Sequence, residues 1–221
     1  MSFLWTNIKD VWFSLTKRGL VLTVKTIYAE LRFDKKHGVD TSRRSGDQSD
    51  VEQRLKTTAV RHQGSNSVFF NLVFSKLNLD FANSVFIDFG SGKGRALVLA
   101  AEYGFKKIIG VEASEKLCRA AEENLARRRT ITKKTINYDI INSDARAYKV
   151  EPEINVFYFF DPFHMSVFRE VMDNIGKSLQ SNPRKIWVVY LHPRGEDEIL
   201  SPKYKLVDSK AHCYTVWTNT P

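Results

Sequence analysis

The segment Val85-Phe86-Ile87-Asp88-Phe89-Gly90-Ser91-Gly92-Lys93-Gly94-Arg95 places three of the chain's eleven glycines within five residues. An apolar run precedes it and a helix-forming run follows. Glycine in such a turn admits positive φ and lets a ligand lie against bare backbone. The helix start beyond it offers unpaired N–H groups. The dinucleotide fingerprint G-x-G-x-x-G, counted from Gly90, needs glycine where Arg95 stands. Asp88 is also a poor neighbour for a pyrophosphate; its carboxylate suits a ligand carrying an ammonium or sulfonium group. Glu112, 24 residues after Asp88, ends the next apolar run, where a carboxylate can accept both hydroxyls of a ribose. Ser143-Asp144-Ala145 follows the third run, and an acid there can accept from an adenine amino group. Asp161-Pro162-Phe163 ends the fourth.

Those four positions need an open sheet that brings strand ends to one edge. From Ser84 onward the texture supplies it. Strands are expected at Val85–Asp88, Lys107–Glu112, Asn137–Asn142, Asn155–Phe160, Lys185–Leu191, Tyr204–Ser209 and Tyr214–Thr218. Helices are expected at Arg95–Tyr103, Glu115–Arg128 and Met165–Gln180. This alternation predicts an α/β fold: a seven-strand, mostly parallel, doubly wound sheet. Only Lys210–Cys213 separates the last two strands, too short for a crossover, so they form a terminal antiparallel hairpin. Residues 1–66 read as a helical N-terminal extension with a polar loop, and residues 67–221 as the ligand-binding domain. In the extension, Leu4, Ile8, Val11, Trp12 and Leu15 form one apolar stripe, and Leu20, Val24, Ile27, Tyr28 and Leu31 a second. A polar loop is expected from Asp34 to about Gln53, and a further helix from Val68 to Leu77.

The residues Asp88 to Gly94, Glu112, Asp144 and Asp161-Pro162-Phe163 resemble motifs I to IV of the class I S-adenosylmethionine-dependent methyltransferases. The resemblance spans residues 84–218. Asp-x-Gly-Ser-Gly-x-Gly-Arg with Gly110-Val111-Glu112 is similar to a bacterial family of undefined substrate, which also carries a stretch like Leu31-Arg32-Phe33-Asp34 through Gly38-Val39-Asp40-Thr41. A more distant likeness is to the Dot1-type lysine methyltransferases. The resemblance implies S-adenosylmethionine as cofactor, with Asp88, Gly90, Ser91, Gly92 and Gly94 at its methionine end. It places Glu112 at the ribose and Asp144 with Ala145 at the adenine. Relatives close the site with a Tyr-Gln-Pro-Thr-like stretch; here His62-Gln63-Gly64-Ser65 stands there, and Gln63 is the expected contact. Asp161 is the catalytic candidate, and Pro162, Phe163 and His164 border the acceptor. The acceptor suggested is a nitrogen nucleophile on a macromolecule: a protein lysine, or alternatively RNA or DNA; the alternative outside catalysis is a non-catalytic S-adenosylmethionine-binding module.

Each position has a second reading. The glycines could form only a tight turn, Glu112 a surface strand end, and Asp144 an ordinary loop acid. Asp161 could cap the helix beginning near His164, and Phe163 could be core. The basic run Arg127-Arg128-Arg129 with Lys133-Lys134 reads as a solvated helix end. Basic residues number 34 and acidic 25, a net charge of +9, which suits an acidic partner or an anionic membrane surface. The first two helices are expected to pack on the core as a lid or substrate wall. The alternative lays them on a membrane through Trp5, Trp12 and Phe13. The five histidines show no metal-ligand spacing, so no metal is expected. Two cysteines exclude a disulfide framework, and Cys118 reads as buried core. No stretch approaches a membrane span, and the compartment expected is cytoplasmic.

Overall fold

A computed structural model of the protein describes residues 12–42, 64–193 and 195–219. Leu4, Trp5, Ile8, Val11 and Gln63 lie outside the described residues. Seven strands form one sheet: β1 (Val85–Phe89), β2 (Lys107–Glu112), β3 (Tyr138–Asn142), β4 (Ile154–Phe160), β5 (Trp187–Leu191), β6 (Lys205–Lys210) and β7 (Tyr214–Thr218). Their order is β3-β2-β1-β4-β5-β7-β6. The first five pair in parallel, and β7 runs antiparallel to both β5 and β6. The sheet and its hairpin are as expected.

All five residues of β1 are buried. A parallel strand covered on both faces reads as one apolar run, not an alternation. Helices α2 (Ser67–Phe74), α3 (Arg95–Tyr103) and α4 (Glu115–Thr132) cover one face. There Phe69, Phe70, Phe74, Leu97 and Leu125 meet Phe86, Ile108 and Tyr158. On the other face α5 (Met165–Ser181) packs Phe168, Val171 and Ile175 against Ile87, Phe157 and Phe159. A short helix, α6 (Asp197–Leu200), follows β5. The caps fit the sequence: Asn66 accepts from the Val68 and Phe69 N–H groups, and Ser114 from that of Leu117. The chain reaches β4 only after crossing over β1, so the switch in direction lies between β1 and β4.

The N-terminal region departs from expectation twice. First, α1 (Leu20–His37) continues through Asp34 to His37, with Gly38 at φ 68 ending it. The Gly38 and Val39 N–H groups both return to the Asp34 carbonyl. Second, the apolar stripe of α1 faces solvent. Its buried residues are Thr23, Thr26, Phe33 and His37, while Leu20, Val24, Ile27, Tyr28 and Leu31 are exposed. Residues 12–18 are helical as well, and Trp12 is exposed.

The helix still packs on the domain. Phe33 and Val39 belong to the same core cluster as Phe69 and Phe86. Near its start, Arg18 donates to the His212 carbonyl and lies 3.4 Å from the His192 ring nitrogen. Near its end, Glu30 pairs with Arg95. His192 follows β5, His212 turns into β7, and Arg95 follows β1. The helix therefore lies along the carboxyl edge of the sheet.

Candidate active site

Gly90, Gly92 and Gly94 all adopt positive φ, at 77°, 53° and 79°. A side chain at Gly90 would put its Cβ 2.5 Å from Pro162 Cβ, and one at Gly94 would lie 3.1 Å from Ala121 Cβ. The loop thus needs glycine for conformation and for close packing. Beyond it, Gly94 is the N-cap of α3, without a side-chain cap.

The loop is braced from beneath. Glu112, at the end of β2, accepts from the Gly92 N–H at 2.9 Å and from the Ser114 N–H at 3.0 Å. Asn124, 2% exposed, donates to the Lys93 carbonyl and exchanges two hydrogen bonds with the Asp40 backbone. Arg95, 3% exposed, is held by five partners: Glu30, Asp34 at 4.0 Å, Thr41 Oγ1 at 2.7 Å, Ser42 Oγ at 2.7 Å, and the Phe33 ring at 4.5 Å. A Cβ on Gly64 would come 2.7 Å from this guanidinium. Asp34 completes the arrangement by accepting from Thr41 and Ser42. The segment from Gly38 to Ser42 is thereby stapled to the glycine loop. Arg95 and Asn124 carry these contacts, and neither follows from loop spacing alone. The available signal was Arg95 itself, an arginine where the dinucleotide pattern wants glycine, together with the Phe33-Asp34 to Asp40-Thr41 stretch.

Asp88 is 3% exposed, and no cation faces it among the described residues. Burial, with the Glu112 charge adding to it, pushes its carboxyl well above the usual range. Tyr158 is its register partner on β4; burial, then the Asp88 charge, raises its hydroxyl in turn. Ser91 Oγ is buried without a partner beside Gly110. A buried acid with no counter-ion among the described residues, next to bare loop backbone, fits a ligand that brings its own positive charge.

The remaining positions divide. Asp144 lies past β3, where its carboxylate takes three hydrogen bonds from the Arg146 side chain and one from the Arg146 N–H. An adenine amine would share an acceptor already in use. Ala145 packs against the second core cluster. Asp161 adopts φ 43, a left-handed conformation that a non-glycine residue holds only under constraint. The N-cap of α5 is His164, whose own side chain makes no capping hydrogen bond. Pro162 sits on Gly90, joining the Asp161 segment to the loop. Phe163 is buried against Phe159 at 6.3 Å and is a core residue. His164 is exposed. The structure brings Asp88, the glycines, Glu112, Pro162 and Asp161 to one edge. Among the described residues no cluster of His, Cys, Asp and Glu is arranged to hold a metal ion.

Fold and edge together define a Rossmann-like, class I methyltransferase architecture. Residues 54–147 match a family described as histone methylation protein DOT1. Among solved structures the chain is similar to Escherichia coli YhhF, assigned as a methyltransferase, with 16% identity and a TM-score of 0.55 over 70% of this chain and 86% of that one. It is similar to an S-adenosylmethionine-dependent O-methyltransferase of Thermotoga maritima, with 14% identity and a TM-score of 0.54 over 72% and 67%. It is also similar to the tRNA methyltransferase TrmI of Aquifex aeolicus, with 19% identity and a TM-score of 0.50 over 69% and 68%. No curated protein matches the chain. The chain has a methyltransferase fold, and its residues 54–147 resemble the histone methylation family.

Proposed function

We propose that the chain transfers a methyl group from S-adenosylmethionine to a nitrogen nucleophile on a protein, a lysine side chain. The observation that carries the cofactor is Asp88, a buried carboxylate that faces no cation among the described residues, beside three positive-φ glycines. When bound, S-adenosylmethionine supplies a methyl group activated by its sulfonium. Asp88 and the loop backbone hold the methionine end, Glu112 takes the ribose hydroxyls through its remaining lone pairs, and Asp144 with Ala145 borders the adenine. Asp161 faces the acceptor and orients its amine or receives its proton. A lysine must be neutral to attack, and a desolvated edge beside a carboxylate favours delivery of that form. Alignment and exclusion of water then supply most of the rate.

The lysine acceptor rests on the match to the histone methylation family. A nucleic-acid amine is the second reading, favoured by the net charge of +9. The test is calorimetric titration with S-adenosylmethionine, S-adenosylhomocysteine and NAD, then tritiated-methyl labelling of extract treated separately with protease and nuclease. Micromolar binding of the sulfur ligands, silence with NAD and label lost only to protease are expected. Label lost to nuclease would move the acceptor to RNA or DNA. Absence of binding would overturn the cofactor assignment.

A further inference from the structure

The outward face of α1 is built the wrong way round for a helix that merely covers a core. Its inner face carries Thr23, Thr26, Glu30 and Asp34 beside Phe33 and His37. Its outer face carries Leu20, Val24, Ile27, Tyr28 and Leu31 within an arc of about 100°. Leu31 is 79% exposed, and Trp12, on the preceding helical turns, is 69% exposed. Phe13 and Val21 beside the ridge are exposed too, and outside residues 12–37 the exposed large apolar side chains among the described residues are Ile131, Leu206 and Val207. Isolated exposed apolar residues are ordinary, whereas a continuous ridge marks a contact surface.

Charge decides what the ridge meets. Lys25, Arg32 and Lys36 line its solvent-facing flank, all exposed, and Lys35 closes it at the C-terminal end. The Arg32 guanidinium lies over the Tyr28 ring at 4.9 Å. The two acids of α1 are turned inward, Glu30 to Arg95 and Asp34 to Thr41 and Ser42. Among the described residues the ridge is carried by the one helix α1. An apolar stripe with aromatic tips, a cationic flank and no outward acid matches the boundary between acyl chains and anionic headgroups.

We propose that α1 docks the protein on an anionic lipid bilayer, lying in the interface with Leu20, Val24, Ile27 and Leu31 inserted and Lys25, Arg32 and Lys36 at the phosphates. This is attachment, not crossing: no helix among the described residues is long and apolar enough to span a membrane. It stands independently of the acceptor.

The test uses the full chain with vesicles of phosphatidylglycerol and phosphatidylcholine mixed one to one, and of phosphatidylcholine alone. Sedimentation and tryptophan emission report binding. Association with the anionic vesicles is expected, weakening as salt rises. Val24→Asp with Leu31→Asp should weaken it at least about tenfold. Lys25→Glu with Arg32→Glu should weaken it about tenfold or more. S-adenosylhomocysteine affinity should be unchanged in both variants, which confirms that they fold. Equal binding to neutral vesicles, or no binding to either, would overturn the proposal. So would a dimer in light scattering that Val24→Asp dissociates, since the face would then meet a second copy.

Discussion

At the residue scale Asp88 carries the sharpest consequence. Its folded pKa is raised, so its contribution to stability is fully present below the unfolded value near 3.9 and is lost as pH rises through the folded value. The ligand-free protein should therefore weaken as pH rises through that range. Asp88→Asn should flatten the slope, raise ligand-free stability at neutral pH, and abolish S-adenosylmethionine binding. Urea unfolding against pH, beside calorimetry, checks this; unchanged cofactor affinity would remove Asp88 from the site. Asp161 is the second case. Asparagine tolerates its left-handed backbone and alanine does not. Asp161→Asn should hold both fold and cofactor affinity while reducing turnover at least about tenfold. An unchanged rate with saturating cofactor would leave Asp161 only its backbone role. Gly92→Val should eliminate cofactor binding and cost about 1–3 kcal/mol besides, because φ 53 strains a β-branched residue; the same two measurements read both effects.

At the element scale, β1, β2, β4 and β5 were legible because each is a short, largely apolar run. The order β3-β2-β1-β4-β5 was not legible, since no helix separates β3 from β4 and the chain crosses back over β1 and β2 there. The end of α1 was not legible. Asp34, Lys35, Lys36 and His37 read as polar loop, yet Gly38 supplies the left-handed stop one turn later. Nor was its inward face. Periodicity finds an apolar stripe but not which way it points, and the inner face was decided by Arg95, a buried cation that required Glu30 and hydroxyls around it. Burial pushes Glu30 up, and the opposing pull of Arg95 leaves a net rise. Arg95→Met should destabilise the protein by about 3 kcal/mol, because breaking a buried pair leaves its partner uncompensated. Arg95→Lys should recover little, since a point charge cannot serve Glu30, Thr41 and Ser42 at once. Denaturant midpoints test this, and full rescue by lysine would reduce the array to simple charge pairing. Similarly, the basic run at the end of α4 resolves into partners: Arg127 faces Glu123 at 3.5 Å and Arg128 reaches Glu102 at 2.5 Å.

At the scale of the whole molecule, α1 unites the features that bear on function. It crosses the carboxyl edge from His192 and His212 to Arg95, the same edge that carries the glycine loop and Asp161. Its inner face fixes the loop's surroundings and its outer face is free to meet a surface. Cofactor binding should stabilise the entire fold by about 2.7 kcal/mol at a hundred times the dissociation constant. The same ligand should give no such gain in Asp88→Asn, and differential scanning calorimetry separates the two.

β6 carries a consequence for the chain in concentrated solution. The strand borders the sheet, and its register with β7 shifts between Leu206 and Asp208. Val207 is thereby left out of the pairing, and lysines stand at both ends, Lys205 and Lys210. An interrupted, charged border offers a poor template to the backbone of another molecule. An added strand is thereby disfavoured at exposed Leu206 and Val207.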